Sequence, residues 1–129
     1  MAANSTPALN DITVHELDEV LKGIAAIDPL VELSLQSKKL SAVSTGSGSP
    51  CLNLLRVTEK CAKEAETVDF VVIVGMGRAI HTNYTARFSC DSLKLAVIKN
   101  ESVADFLGGR NFDAICDFQV RSRKRKGMD

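Results

Sequence analysis

The stretch that most constrains the fold is Asp69-Phe-Val-Val-Ile-Val-Gly-Met-Gly-Arg-Ala-Ile-His-Thr-Asn83. It sets five consecutive apolar residues, Phe70 to Val74, directly before a Gly75-Met76-Gly77 break. A run this short and this β-branched predicts a strand buried on both faces, the kind found in parallel sheets. Glycine at its end lets the backbone turn sharply and lets a ligand approach the main chain. Arg78, His81, Thr82 and Asn83 follow as a dense polar set just past the strand, the edge at which open α/β sheets bind ligands.

Two familiar phosphate-binding patterns fail here. Gly75-x-Gly77 begins a dinucleotide fingerprint, but Ile80 stands where the third glycine belongs. Ser47-Gly48-Ser49-Pro50 is no Walker loop, because no Gly-Lys-Ser/Thr follows it.

Elsewhere the chain alternates helical and strand signals. Asn4 to Asp11 reads as a strand-to-helix loop. Thr13-x-x-Glu16 is a capping-box pattern that opens a helix. Val14, Leu17, Leu21 and Ile24 recur at helical spacing, with Val20 and Ile27 beside them. Asp28-Pro29 stops or kinks that helix. A shorter helix is expected from Leu30 to Ser37, with Lys38 and Lys39 favourable at its C-terminal end. Leu40 to Ser44 is a candidate strand. Thr45 to Pro50 is a glycine–serine loop that either presents N–H groups to an anion or is a plain turn. Leu54, Thr58, Cys61, Ala62, Ala65 and Val68 form the inner face of the next helix. Beyond the central strand, Tyr84 to Ser89 reads as a short helix or an extended crossover. Leu95 to Ile98 reads as a buried strand. Val103, Phe106 and Leu107 mark a helix ended by Gly108-Gly109. Phe112, Ala114, Cys116 and Phe118 alternate with Asp113, Ile115 and Asp117, as in a half-exposed edge strand. The fold class expected is α/β, a mainly parallel, Rossmann-like sheet flanked by helices.

The 129 residues allow one domain at most, expected over residues 1–118, followed by a basic tail over 119–129 expected to be disordered. The formal charge of zero hides an asymmetry. Five Lys/Arg and one acid fall between Gln119 and Asp129, leaving a body of eleven bases and fifteen acids. Such a body does not suit a nucleic acid. The tail (Arg121-Ser-Arg-Lys-Arg-Lys126) reads as a solvated segment, with a nuclear address as the alternative. No apolar stretch approaches a membrane span, and Met-Ala-Ala-Asn-Ser carries no signal peptide pattern, so a cytoplasmic protein is expected. Cys51, Cys61, Cys90 and Cys116 lack C-x-x-C spacing and read as reduced thiols. Isolated His15 and His81 do not suggest zinc.

Gly75-Met76-Gly77-Arg78 followed by Ala79-Ile80-His81-Thr82-Asn83 resembles the signature of the damage-control phosphatases. The similarity is greatest to the subfamily often fused behind a pantothenate-kinase-like domain. It extends from Ala2 to about Phe118, through Asn4-Ser-Thr-Pro-Ala-Leu-Asn10-Asp11, Gly46-Ser-Gly-Ser-Pro-Cys-Leu52, Cys90-Asp-Ser-Leu-Lys94 and Phe106-Leu-Gly-Gly-Arg110. The resemblance implies a metal-dependent phosphatase acting on small phosphometabolites. For this subfamily the implied substrate is 4′-phosphopantetheine or its oxidised forms, damaged precursors of coenzyme A. It also implies a hard divalent ion, manganese or magnesium, with nickel and cobalt as further candidates.

By the same resemblance, Asp11 is a metal ligand, and Lys94 matches a phosphate-contacting lysine although it is expected just before its strand. Arg78 is placed to form a bidentate pair with phosphate. Asn4, Gly75, Gly77 and Asn83 are candidates for holding substrate. Each has a plainer reading. Asp11 could serve a turn, Arg78 a salt bridge, the two asparagines backbone caps, and Lys94 a solvated surface.

Two departures bear on activity. The Asp-Asn pair that supplies the family's other metal ligands is absent from these residues, which contain only Asn10-Asp11 in reverse order. Val74 stands where the family has a glutamate before Gly-Met-Gly-Arg. Ala2-Ala3 begins where a family strand should already be under way, so the chain reads as the C-terminal portion of a larger domain. The alternative function is therefore a truncated, catalytically inactive relative serving as a binding or regulatory module, or a gene fragment. An exposed apolar face and dependence on a missing upstream half, or on a fused pantothenate-kinase-like domain, are expected.

Overall fold

The computed structural model describes residues 1–121, so the basic tail beyond Arg121 lies outside the described residues. The chain divides into two compact units, Met1–Glu66 and a second beginning at Thr67. The fold is α/β, with parallel and mixed strand pairing.

In the first unit, β1 (Ala2–Ala3) pairs in parallel with β2 (Val43–Ser44). Helix α1 (Val14–Ala25) starts at the expected capping box. The Thr13 side chain accepts from Glu16 N, and Thr13 N donates to the Glu16 carboxylate at 2.8 Å. Leu17 and Leu21 are the buried part of its apolar stripe and pack with Ala3, Val14, Leu35, Leu40 and Ala42. Ile24, expected on the same face, is exposed. Asp28 does more than end α1. Its carboxylate accepts from Leu30 N and Val31 N and caps α2 (Pro29–Gln36), with Pro29 in the first turn where a missing N–H costs nothing. A 3-10 turn at Leu54–Arg56 precedes α3 (Glu59–Glu66). The inner face expected from Leu54 to Val68 is corrected here: it is split between that turn and a two-turn helix, and none of α3 is buried.

In the second unit, β3 (Phe70–Val74) pairs in parallel with β4 (Asp91–Val97), which pairs antiparallel with β5 (Ala114–Gln119). The edge position expected for β5 is observed. Between β4 and β5 runs α4 (Glu101–Leu107), capped by the Asn100 side chain on Val103 N. Gly108 ends it in the left-handed conformation, φ 67°. The core consists of Ile73, Ala79, Ile80, Ala96, Ile98, Val103 and Ala104.

Three expectations are corrected. The central strand is not buried on both faces: Ile73 is buried, whereas Phe70, Val72 and Val74 on the alternate face are exposed. A run without polar residues carries no alternation from which to read a face. Second, β4 begins four residues earlier than expected, at Asp91, because its inward residues are Ser92, Lys94 and Ala96. Polar residues read as loop in the sequence here point into the core. Lys94 therefore lies in mid-strand, beside Ile73 and opposite Asp117 in register. Third, Tyr84 to Ser89 is a series of turns and irregular backbone, neither helix nor strand.

Candidate functional site

The segment after β3 turns on Gly75. Its φ of 115° lies in the region that side-chain-bearing residues rarely adopt, and a Cβ there would meet nothing within 4 Å. Conformation, not crowding, requires this glycine. Gly75 N donates to Leu95 O at 2.9 Å, fixing the turn to the neighbouring strand. Met76–His81 then forms a π-helical turn, a rare geometry that recurs at functional sites. Buried Ala79 and Ile80 plug it into the core.

Its carbonyls are held by the two residues that follow. Thr82 Oγ1 donates to Gly77 O at 2.9 Å, and Asn83 Nδ2 donates to Arg78 O at 2.7 Å. Asn83 is buried, so its amide braces the loop. Arg78 is half-buried, its Nη2 is buried, and it is engaged within the protein. His81 is exposed. Beside the turn, a cleft of about 340 Å³ is lined by Val74, Gly75, Met76, Leu95, Val97 and Lys99. Val74 thus lines the cleft next to the loop.

Lys94 is 0% exposed. Its ammonium donates to Tyr84 O at 2.6 Å and Ala86 O at 3.0 Å. Burial pushes its pKa below the ordinary lysine value; Asp117 opposes the shift and Arg87 adds to it. The lysine clamps the segment that leaves the π turn. Sequence reading found the lysine but not these carbonyl partners, because backbone acceptors leave no signal in residue types.

Asn4 and Asp11 belong to the first unit; Gly75, Gly77, Arg78, Asn83 and Lys94 belong to the second. Asn4 is 1% exposed, and its Nδ2 donates to Ser49 O at 3.1 Å. Ser5 N donates to Ser47 O and Thr45 N to Ala3 O, so residues 3–5 hold the glycine–serine loop at Thr45, Ser47 and Ser49. A Cβ on Gly48 would lie 2.1 Å from Thr6 Oγ1, which explains that glycine by close approach. Asp11 is half-buried in a turn closed by Asp11 N on Ala8 O at 3.0 Å. Leu9 in this turn has a φ of 53°, a strained value for a residue with a side chain. A cleft of about 360 Å³ here is lined by Pro7, Leu9, Asn10, Asp11, Ile12 and Glu16.

Those residues do not make a complete site for a divalent ion. Glu16 is committed to the capping box, its carboxylate accepting from Thr13 N and Oγ1. Among the described residues no three His, Cys, Asp or Glu side chains come together to hold a metal. Asp11 and the Asn10 amide fall short of the six oxygen ligands that a hard cation takes. Also among the described residues, no helix is long and apolar enough to cross a membrane.

A family model and several curated relatives match most of this chain. The model of the damage-control phosphatase ARMT1-like domain matches residues 1–115. The damage-control phosphatase At2g17340 of Arabidopsis thaliana is 40% identical, over 92% of this chain and 32% of its own length. The 4′-phosphopantetheine phosphatase of Mus musculus is 36% identical, over 95% of this chain and 21% of its own. Pantothenate kinase 2 of Arabidopsis thaliana is 38% identical, over 95% of this chain and 16% of its own. A crystal structure of a DUF89 family protein from Pyrococcus horikoshii shares the fold with a TM-score of 0.66 at 21% identity, over 95% of this chain and 36% of that one. The chain thus spans a third or less of the length of these curated relatives. By the match across residues 1–115, this chain belongs to the damage-control phosphatase ARMT1-like domain family.

Proposed function

We propose that this chain forms the phosphate-holding part of a metal-dependent damage-control phosphatase acting on small phosphorylated metabolites. One observation carries the reading: a π-helical turn, opened by a glycine of positive φ at the end of a β-strand, sets half-buried Arg78 just past the strand end. A guanidinium there can take two phosphoryl oxygens at once and offset their charge. Gly75 and Gly77 let the phosphate approach the main chain. Asn83 and Lys94 act as positioning residues, the first bracing the turn and the second clamping the segment beyond it. The name of the mouse relative supports 4′-phosphopantetheine, or its oxidised forms, as the substrate.

Asp11 is the metal ligand this chain would contribute, to manganese or magnesium, with the remaining ligands supplied by parts of the domain beyond these residues. The bound ion would neutralise phosphoryl oxygens and activate water. The incomplete ligand set favours a second reading for the chain taken alone, a module that binds phosphometabolite without turnover.

Calorimetric titration with 4′-phosphopantetheine and with pantetheine tests the proposal. The phosphorylated compound should bind saturably, and Arg78→Ala should weaken it about ten-fold or more, the scale of one lost charge-assisted pair. Equal binding of pantetheine, or no effect of Arg78→Ala, would refute it.

A further inference from the structure

The two ends of the π turn are held by different means. At its far end Thr82 and Asn83 bond the Gly77 and Arg78 carbonyls. At its start Gly75 has no side-chain cap, and the backbone is held by Gly75 N on Leu95 O of β4. One side chain adds to that hold. Met76 Sδ accepts from Lys99 N at 3.3 Å. Lys99 follows the end of β4 and precedes Asn100, the cap of α4. Ile98 N still donates to Asp113 O, whereas the next N–H, that of Lys99, goes to the sulfur.

Methionine suits this place because its unbranched chain fills irregular apolar space while its thioether still accepts a hydrogen bond. Half-buried Met76 packs against the core and lines the cleft with Val74, Leu95 and Val97. The sulfur therefore ties the first residue of the turn to the junction of β4 and α4. Arg78 lies two residues further on, and Ala79 N closes the turn on Gly75 O at 2.8 Å. Where the turn opens thus decides where the guanidinium is carried, and a small misplacement of a binding group costs function out of proportion to stability. We propose that Met76 is a positioning residue for Arg78, its bond to Lys99 N fixing the opening of the π turn against the β4–α4 junction. The effect on binding rests on the phosphate-holding reading of the turn; the hold on the turn does not.

The test pairs two variants of the 129-residue chain. Met76→Leu keeps an apolar side chain of similar volume and removes the acceptor. Met76→Gln keeps the length of the chain and supplies an amide oxygen as acceptor. Amide hydrogen exchange reads the hold on the turn without any ligand, and calorimetric titration with 4′-phosphopantetheine reads its effect on the site. In Met76→Leu, exchange at Lys99 and Ala79 should quicken about three-fold or more while the amides of β5 keep their rates. Affinity should fall about three- to five-fold, the scale of one modest hydrogen bond. Met76→Gln should restore both. Unchanged exchange at Lys99 and Ala79, a loosening shared equally by β5, or no recovery with glutamine would overturn the proposal, since a merely structural methionine gives those results. So would parent-like affinity in Met76→Leu. A parent chain that does not bind the compound would refute the phosphate reading, and the exchange rates would then decide the role of Met76 by themselves.

Discussion

Two glycine loops of this chain look alike as sequence and differ as structure. Thr45–Pro50 and Gly75–Thr82 both mix glycine with hydroxyl residues, and both follow a strand. The first spends its own polar groups on itself. Gly46 N donates to Ser44 Oγ, Ser47 N to Thr45 Oγ1, Ser49 N to Ser47 Oγ and Cys51 N to Ser49 Oγ. The N–H groups of Thr45, Gly46, Ser47 and Ser49 are therefore taken, and the plain-turn reading fits it better than the anion-binding one. The second sends its hydroxyl and amide to its own carbonyls, through Thr82 and Asn83, and no side chain caps its start. Which end of the peptide the side chains satisfy separates a closed turn from a loop able to receive an anion.

The largest way to break the contrast is through Lys94. Replacing it with methionine keeps the volume but strands the Tyr84 and Ala86 carbonyls, at a cost of about 2 to 3 kcal/mol in urea unfolding. It should also loosen the segment after the π turn. The same residue sets a pH dependence. Its folded pKa lies below the ordinary lysine value, so between those values the unfolded chain binds more protons than the folded one. Stability should therefore rise with pH across that window. Cys61, whose thiol is pushed up by burial, works in the opposite direction as pH passes the ordinary thiol value. The difference between parent and Lys94→Met isolates the lysine, and a difference flat with pH would count against the buried ammonium.

Gly75→Ala is next. It forces a side chain into a φ of 115°, which should cost about 1 to 3 kcal/mol and weaken phosphate binding at the same time. Unchanged stability would show that the turn readily relaxes. Ser47→Ala should have the smallest effect, about 1 kcal/mol, because it removes the acceptor for Ser49 N. Phosphate binding should not change. If it weakens as much as in Gly75→Ala, the contrast between the loops is lost.

Much of this was legible in the sequence. The run Phe70–Val74, its glycine break and the capping box at Thr13 and Glu16 were each marked by residue types that physics restricts to few conformations. The inward side of the sheet was not. Ser92, Lys94 and Asp117 look like solvent-facing residues, yet Ser92 and Lys94 are buried and Asp117 is half-buried. Apolar Phe70, Val72 and Phe118 are exposed. Alternation gives the period of a strand but not which phase faces inward, and here hydrophobicity gives the opposite phase for β4 and β5. The candidate site was legible as a set of residues. Its bonding was not, since Lys94, Asn4 and Asn83 each bind a backbone carbonyl, an acceptor that residue types do not reveal.

The most direct test of the central claim is an amide NMR titration of the 129-residue chain with inorganic phosphate. Shift changes should concentrate on Gly75 to Thr82, leave Thr45 to Cys51 unmoved and disappear in Arg78→Ala. Changes centred on Thr45 to Cys51, or none at all, would contradict the assignment of the π turn as the phosphate-holding element.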